Sequence, residues 1–395
     1  MKNIICVGDL HLGGSLSLGK QGIGSTLNSR ITDQINILDW VLEEAIENQA
    51  CIIITGDIFE DPKPHPTIIT IFISWLKKCE SYNIPVHIIY GNHDILRSGF
   101  VTTSSLDIIS EIELHNIFTY KETETIYINN TSVTLMPFKD RKSFSVNSAK
   151  EALDKIQSSL DWELASIPSH HNKIIIGHFA IEGSIPVGNE IDDLTNELFC
   201  PLSMFDGFDY IWMGHVHKPQ ILKKNPYIAH IGSMDISNFG ETDHNKHIVI
   251  IDTDNPKDWK SKNIPTRNLK KITVSIPKDT IDPTEFVLNH LKTINNFDKS
   301  IVKVEISLQD AELSSVNKST IERYLSSQGV FNIASIIESK KVNLIKKDSN
   351  NVLDTKMDIN SAIKKYSEVY IDKDQQSEFI DLSLSIYKQF LGELK

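Results

Sequence analysis

The sequence predicts an α/β fold, and two observations carry this prediction. Over the first two-thirds of the chain, short apolar runs alternate with stretches in which apolar residues recur at helical spacing. The run "CIIITGD" (51–57) is typical of a buried strand, whereas residues 30–48 repeat apolar side chains along one helix face. We therefore expect a sheet covered on both faces by helices.

The individual elements follow the same reasoning in chain order. Strands are predicted over 3–9, 51–57, 85–94, 173–179, 210–217, 229–235 and 247–253. Helices are predicted over 30–48, 67–82 and 147–164, and a hairpin over 124–138 that turns at Asn129 and Asn130. Beyond about residue 266, three strands (270–276, 301–308, 330–339) alternate with helices over 283–295 and 317–327, which predicts a small α+β module. Two helices are predicted from about residue 356, and the last one carries an apolar stripe that either packs on its own domain or docks on another chain. The stripe consists of Phe379, Leu382, Leu384, Ile386, Tyr387, Phe390 and Leu391.

The composition is that of a soluble globular protein. The 395 residues are 40% hydrophobic and 23% charged, a length that favours one large domain and a smaller one. A net charge of −12 argues against a protein that coats DNA by electrostatics alone. Short basic runs such as "KDRK" (139–142) are interpreted singly as solvated faces. The apolar run at the amino terminus is too short for a signal peptide or a membrane span.

The cysteines point to a reducing compartment. All four (Cys6, Cys51, Cys79 and Cys200) are scattered along the chain, and none shows CxxC spacing. This spacing favours neither a zinc finger nor a disulfide framework. We therefore expect a cytoplasmic protein without a membrane partner.

Polar residues follow five of the predicted strands in a common pattern. Each apolar run ends in Gly or Asp together with residues that can bind metals. These residues are Asp9 and His11, Asp57, Asn92 with His93 and Asp94, His178, and His215 with His217. Because corresponding strand ends meet at one edge of an α/β sheet, we expect these side chains to converge where such folds bind ligands. In "GHVH" the two imidazoles stand at i and i+2 of an extended chain, so they point the same way.

The residue types predict a centre of two metal ions. Carboxylate, amide and imidazole groups suit Mn, Fe or Zn, and no cysteine belongs to the set. Seven ligands (Asp9, His11, Asp57, Asn92, His178, His215 and His217) exceed one tetrahedral shell and suit two ions. Asp57 stands alone on its strand and is the natural bridge. Such a pair stabilises the attacking and leaving oxygens of a phosphoryl displacement and lowers the pKa of a bound water.

His93 is assigned a different role from the ligands. Since its neighbour Asn92 faces the metals, we expect His93 to point elsewhere, with Asp94 placed to orient it. An imidazole beside such a centre can protonate the leaving alkoxide as a general acid. We therefore take His93 and Asp94 as catalytic candidates.

The order D-x-H, GD, GNHD, GH, GHxH over residues 9–217 resembles the calcineurin-type metallophosphoesterase superfamily. The resemblance implies a four-layer β-sandwich flanked by helices, with Asp9, His11, Asp57 and His217 on one ion. It also implies Asp57, Asn92, His178 and His215 on the other ion, and His93 as the catalytic histidine. Two divalent cations are implied, with Mn²⁺ as the first expectation and Mg²⁺, Fe²⁺ or Zn²⁺ as alternatives.

Further stretches are similar to the SbcD-type nuclease family. These are "FDGFDYIWMGHVHKPQIL" (205–222), "HIGSMDISNFGE" (230–241) and "GDIFEDPKPHP" (56–66). The sequence departs from that pattern at Glu60, at His65 and over Asp235–Ser237, which puts substrate handling in question but leaves the ligands untouched.

The second resemblance implies a DNA nuclease that consists of three parts. The expected division is a nuclease domain over 1–266, a DNA-capping domain over 267–350 and a helical segment over 351–395. That helical segment is expected to bind an SbcC-like, SMC-type ATPase. The implied activities are double-strand exonuclease and single-strand endonuclease, with a homodimer as the implied assembly.

Two alternatives compete with the nuclease interpretation. A phosphatase or phosphodiesterase acting on small or protein-bound phosphoesters would leave the extra module and the apolar C-terminal stripe unexplained. A non-catalytic scaffold with this fold is expected to have lost ligands, whereas all seven ligands and His93 are present.

Overall fold

The structure is a computed structural model, and it describes residues 1–21, 27–98, 101–186, 197–310, 313–340, 359–371 and 375–393. The packing divides the chain into two compact units. The first comprises 1–274, 284–306 and 315–338, and the second comprises 275–283, 307–314 and 339–395.

The strands are numbered in chain order. They are β1 (Asn3–Val7), β2 (Ala50–Ile54), β3 (Val86–Ile89), β4 (Ile95–Ser98), β5 (Val101–Ser104), β6 (Ile117–Tyr120), β7 (Glu124–Ile128), β8 (Thr131–Met136), β9 (Asn172–Gly177), β10 (Ala180–Ile181), β11 (Phe199–Cys200), β12 (Tyr210–Met213), β13 (Gln220–Lys224), β14 (Tyr227–His230), β15 (His247–Asp252), β16 (Lys260–Asn263), β17 (Leu269–Ile276), β18 (Ile301–Leu308) and β19 (Asn332–Lys340).

The helices are numbered in the same way. They are α1 (Ser29–Glu47), α2 (Pro66–Ser81), α3 (Asp107–Ser110), α4 (Ala149–Ser166), α5 (Pro283–Lys292), α6 (Lys318–Ser327), α7 (Ile359–Tyr370) and α8 (Gln376–Glu393). Side chains cap three of them at the amino end: Asn28 accepts from the Arg30 amide, His65 from the Thr67 amide, and Asn317 from the Thr320 amide. Pro66 follows His65 at the first position of α2.

Two six-stranded sheets form the centre of the first unit. The order is β16-β15-β1-β2-β3-β6 in one sheet and β13-β14-β12-β9-β8-β7 in the other. The inner strands of each sheet run parallel, namely β1-β2-β3-β6 and β14-β12-β9-β8. The outer strands β15, β16, β13 and β7 pair antiparallel with their neighbours.

The core consists of three apolar layers, and they explain the order of the elements. One layer lies between the sheets and includes Ile53 of β2 and Ile176 of β9. A second packs α1 and α2 on the outer face of the first sheet, and a third packs α4 on the outer face of the second sheet. Each Å² of apolar surface that is buried contributes about 25 cal/mol to the stability of the fold, so such layers are the main stabilising contribution.

The expectation of one sheet with helices on both faces is therefore wrong, and the four-layer sandwich implied by the resemblance is confirmed. The reason lies in the strands themselves. A strand such as β2 is buried along its whole length, and a continuous apolar run does not tell whether a helix or a second sheet covers each face.

Strands β17, β18 and β19 form a third, three-stranded sheet, accompanied along the chain by α5 and α6 as expected. The second unit contains the hairpin of α7 and α8, in which the rings of Tyr366 and Phe379 stack with centroids 6.0 Å apart. Of the predicted apolar stripe, Leu382 is exposed, while the side chains of Ile386, Tyr387, Phe390 and Leu391 lie outside the described part. None of the helices within the described ranges is long and apolar enough to cross a membrane.

Candidate metal centre

Parallel strands bring the predicted ligands to one edge of the two sheets. Asp9 and His11 follow β1, Asp57 follows β2, and Asn92 with His93 follows β3. In the second sheet, His178 follows β9, and His215 with His217 follows β12. β1, β2 and β3 run parallel to one another, as do β9 and β12, so their carboxyl ends meet.

The backbone at this edge is strained where ligands are predicted. His11, Asp57 and His215 have φ angles of 44°, 48° and 76°, in the left-handed region that residues other than glycine rarely occupy. Strain of this kind costs of order 1–3 kcal/mol per residue and is concentrated at functional sites. The strand ends therefore turn sharply so that these side chains point at a common centre.

Glycines let the strand ends approach one another. A Cβ at Gly91 would collide with the backbone nitrogen and the carboxylate of Asp57, and one at Gly214 would collide with Asp9 and the Thr55 hydroxyl. Gly91 and Gly214 are thus required by close packing of one ligand loop on the next.

Two groups of donor atoms lie on either side of Asp57. In the first cluster, which consists of His11 and His217, the two Nε2 atoms are 2.9 Å apart. In the second cluster, which consists of Asn92, His178 and His215, the Asn92 Oδ1 lies 2.8 Å from His178 Nε2 and 3.0 Å from His215 Nδ1. The same two histidine nitrogens are 3.1 Å apart.

Asp57 connects the two clusters. Its Oδ2 lies 3.7 Å from His11 Nε2 and 3.3 Å from His178 Nε2. Two groups have the spacing of a metal shell: one is His11, Asp57 and His93, the other is Asp57, His178 and His215, and Asp57 belongs to both. Asp9 lies next to the second cluster: its Oδ1 accepts from the His215 amide at 3.0 Å and lies 3.4 Å from His178 Nδ1.

The outward ring nitrogen of each histidine faces an oxygen. Glu60 Oε2 lies 3.0 Å from His11 Nδ1, and Glu241 Oε1 lies 3.3 Å from His217 Nδ1. For the second cluster, the Thr55 carbonyl lies 2.7 Å from His178 Nδ1, and Glu197 Oε2 lies 2.6 Å from His215 Nε2. The hydrogen bonds to the Thr55 carbonyl and to Glu241 favour the ring proton of His178 and of His217 on the outward nitrogen, which leaves a lone pair on the inward one.

This donor set fits divalent cations. The inward nitrogens of each cluster face one another at about hydrogen-bond distance, and when both are deprotonated a cation between them relieves the repulsion of their lone pairs. Asp9 Oδ2 is buried and has no hydrogen-bond partner among the described residues, which is unusual for a carboxylate oxygen away from a cation.

Buried carboxylates give the centre a negative field. Burial would lower the pKa of His178, but the charges of Asp57 and Asp9 and their hydrogen bonds raise it well above its usual range. Burial alone would raise the pKa of Asp57, but the charge and the hydrogen bond of His178 hold it well below the ordinary value. The centre therefore attracts positive charge, whether protons or metal ions.

Glu241 is fixed by a buried lysine. Its Oε2 lies 2.7 Å from Lys246 Nζ, which also donates to the Ser233 hydroxyl and the His217 carbonyl. Burial would raise the pKa of Glu241, but the hydrogen bond with His217 and the charge of Lys246 lower it to about 2. Glu241 is thus an ionised carboxylate that orients His217.

The partners of Asp94 differ from the expected one, whereas the catalytic role of His93 stays a prediction. Asp94 accepts from the backbone amides of Ile58 at 2.9 Å and Gly91 at 2.9 Å, so it ties the loops after β2 and β3 together. His93 is held instead by the Glu60 carbonyl, 2.8 Å from its Nδ1. Adjacency in sequence did not bring Asp94 to the imidazole, because its carboxylate turns toward unpaired backbone donors.

His93 also lies nearer the metal ligands than expected. Its ring centroid is 4.9 Å from that of His11, and a ring nitrogen stands within 4.8 Å of donor atoms of His11 and Asp57. The expectation that it points elsewhere is therefore wrong, and its imidazole reaches the edge of the first cluster.

A cavity of about 350 Å³ opens onto the centre. Both clusters contribute to its wall. Its other lining residues are Ser15, Ser17, Leu18, Asp57, Glu60, Asn92, His93, Ser237, Asn238 and Phe239. A phosphoester that enters this cavity meets the inward donor atoms directly.

Sequence reasoning missed the supporting residues. In the sequence, Glu60 stands out only as a departure from the family pattern and Glu241 only as part of "NFGE", while Glu197, Lys246 and the Thr55 carbonyl do not stand out at all. The "NFGE" sequence and the departure at Glu60 could have drawn attention to two of these residues. Glu197, Lys246 and the Thr55 carbonyl act through contacts between distant parts of the chain, which a local sequence pattern does not predict.

The fold and the centre together define a metal-dependent phosphoesterase, a hydrolase that acts on ester bonds through a dimetal centre. The family model of the calcineurin-like phosphoesterases matches residues 2–219, more than half of the chain. The chain belongs to this family.

The curated relatives that match this chain include a nuclease subunit and DNA double-strand break repair proteins. The chain is 26% identical to the SbcD component of the nuclease SbcCD of Staphylococcus saprophyticus over 289 residues, 69% of this chain and 70% of the relative. It is 27% identical to the DNA double-strand break repair protein Mre11 of Saccharolobus solfataricus over 315 residues, 75% of this chain and 73% of the relative. The Mre11 protein of Methanococcus maripaludis is 27% identical over 194 residues, 48% of this chain and 47% of the relative.

Proposed function

We propose that the protein is a dimetal-dependent DNA nuclease that hydrolyses phosphodiester bonds as a double-strand exonuclease and a single-strand endonuclease. The observation that carries the proposal is the pair of donor groups that share Asp57, His11 with His93 and His178 with His215, beside a cavity that Asp57 lines. The names of the relatives supply the substrate class. DNA end processing in repair or recombination is the proposed setting, in the cytoplasm.

The proposed ligands divide between two ions. Asp9, His11, Asp57 and His217 would hold one ion, and Asp57, Asn92, His178 and His215 the other, with Mn²⁺ proposed. When bound, such ions act as Lewis acids on phosphate oxygens and stabilise the charge of the displacement.

The chain's own residues supply orientation and a proton. Glu60, Glu241, Glu197 and the Thr55 carbonyl hold the outward ring nitrogens, so the inward lone pairs stay directed at the cavity. The Glu60 carbonyl accepts a hydrogen bond from Nδ1–H of His93. The Nε2 atom of His93 is therefore the one left to act on the substrate. In the protonated imidazole, Nε2–H passes its proton to the departing sugar oxygen.

The remaining parts of the chain are proposed to serve DNA and a partner. The division into a nuclease domain (1–266), a DNA-capping domain (267–350) and a helical segment (351–395) is retained as a proposal. The hairpin of α7 and α8, with Leu382 exposed on it, is proposed to bind an SbcC-like, SMC-type ATPase, and the active form is proposed to be a homodimer.

The activity is tested with purified protein and Mn²⁺ on labelled linear duplex and single-stranded DNA. Bis-p-nitrophenyl phosphate and p-nitrophenyl phosphate are assayed alongside, with His93→Ala as the control. We expect DNA degradation that disappears in the variant. Turnover of the small esters with intact DNA would contradict the nuclease proposal and move the protein to a phosphatase or small-ester phosphodiesterase.

The partner segment is tested by cutting the chain before Met357. We expect a folded nuclease that no longer binds an SMC-type ATPase in a pull-down with the full-length protein as control. A truncated protein that aggregates would show that the apolar stripe is part of the protein's own core.

A further inference from the structure

We propose that Arg141 and Lys142 form a subsite for the phosphate backbone of the DNA substrate, next to the metal centre. The inference rests on the proposed nuclease function and deepens it by assigning a contact outside the catalytic cavity. Its basis is a second cavity together with two exposed cations that form no ion pair among the described residues.

The second cavity has a volume of about 420 Å³. Its wall includes Phe138, Asp140, Arg141, Lys142, Asn147 and Glu197. Two of these residues adjoin the second cluster: Glu197 Oε2 is 2.6 Å from His215 Nε2, and the Phe138 ring lies 6.0 Å from that of His215. The cavity is thus one side chain away from a proposed metal ligand.

The charges around this cavity differ in how they are used. Lys139 forms an ion pair with Glu122 at 2.6 Å, and Asp140 accepts from the amide and the hydroxyl of Ser143 at 2.8 Å each. Glu197 faces His215. Arg141 and Lys142 are exposed and have no ion pair within the described part of the chain.

Two exposed cations at this place, without an ion pair in the part of the chain that the structure describes, are informative because the protein as a whole is acidic. With a net charge of −12, the chain repels DNA at long range, so binding requires local positive charge. Phosphate contacts by Arg and Lys supply sequence-independent affinity and fix the register of the strand. A strand with its scissile phosphate at the clusters has neighbouring phosphates to place, and this cavity presents two such cations next to the second cluster.

The test uses the full chain with Arg141→Gln and Lys142→Gln combined. A matched control, Lys257→Gln with Lys260→Gln, removes the same two charges from exposed positions at the start of the edge strand β16 and just before it. The KM for a labelled duplex is measured with Mn²⁺ at several salt concentrations, and turnover of bis-p-nitrophenyl phosphate is measured in parallel.

We expect the KM for DNA to rise about tenfold in the Arg141 and Lys142 variant, and the ratio of DNA to small-ester turnover at low DNA to fall accordingly. The slope of log KM against log salt concentration should decrease by about 2, one for each lost phosphate contact. The control pair should match the wild type in both measurements.

A wild-type enzyme that cleaves DNA while the Arg141 and Lys142 variant keeps its KM and salt slope would overturn the subsite alone. Equal effects in the control pair would also overturn it, since they would show general electrostatics. A wild type that hydrolyses the small ester and cleaves no DNA would overturn the proposed function itself.

Discussion

The two donor clusters on either side of Asp57 differ in what holds their histidines. In the second cluster, a backbone carbonyl fixes the fully buried imidazole of His178, and the largely buried carboxylate of Glu197 faces His215. In the first cluster, carboxylate side chains face both histidines, and one of them, Glu60, has half of its side chain exposed. A backbone carbonyl in a buried strand end cannot move away, whereas an exposed carboxylate can change rotamer.

This difference indicates that the second cluster is the rigid part of the centre and that the first cluster can change conformation. Supporting groups fix the tautomer and the orientation of a ligand, and their loss costs about 10–100-fold in metal affinity. We therefore expect the second cluster to hold its ion more tightly and the first cluster, which faces the cavity with Glu60 and His93, to exchange its ion more readily.

The largest effect is expected from Asp57→Ala, because Asp57 is shared and its loss leaves neither cluster complete. We expect loss of both ions and a fall in turnover on the order of a thousandfold or more. Metal analysis of the purified protein and the bis-p-nitrophenyl phosphate assay measure this, with the exposed Asp206→Ala as control. Two ions retained by the variant would remove Asp57 from its bridging position.

His93→Ala separates proton transfer from metal binding. We expect both ions to remain and turnover to fall about 10²–10⁴-fold, the usual contribution of a general acid. The measurement pairs metal content with kcat. Because a ring nitrogen of His93 lies close to His11 and Asp57, a loss of metal equal to that in Asp57→Ala would instead make His93 a ligand of the first cluster.

Supporting carboxylates should rank by their burial. Glu241→Gln removes a buried, ionised partner of His217 and should weaken the more weakly bound ion about 10–100-fold. Glu60→Gln should cost less than about tenfold, because its half-exposed carboxylate is screened by water. Mn²⁺ titration followed by electron paramagnetic resonance measures both, with thermal unfolding to verify that each variant is folded. The reverse order would contradict the comparison.

The free energy of unfolding also depends on pH through a histidine that belongs to neither cluster. Burial lowers the pKa of His87, on β3, to about 4. Because the unfolded state then binds the proton more readily between about pH 4 and pH 6.5, stability is complete above pH 6.5 and is lost as the pH falls toward 4. The loss is up to about 3 kcal/mol. His87→Gln should flatten this part of a metal-free unfolding profile, and an unchanged slope would assign the acid sensitivity elsewhere.

The strand-end ligands could be predicted from sequence because they depend on local rules. Alternation along a strand sends His215 and His217 the same way, and parallel strands end at one edge. The second sheet could not be predicted from the residues, since an apolar strand does not specify what covers it. Glu197 and Lys246 were missed because each contributes through a partner distant in the chain, and Asp94 was misassigned because its neighbour in sequence is not its partner in space.

The most direct test of the account is anomalous X-ray diffraction from crystals grown with Mn²⁺. If Asp57 bridges two ions, we expect two manganese peaks that flank its carboxylate. One should lie next to His11 and His217, and the other next to Asn92, His178 and His215. A single peak, or two peaks that do not share Asp57, would contradict the central claim of a dimetal centre bridged by this residue.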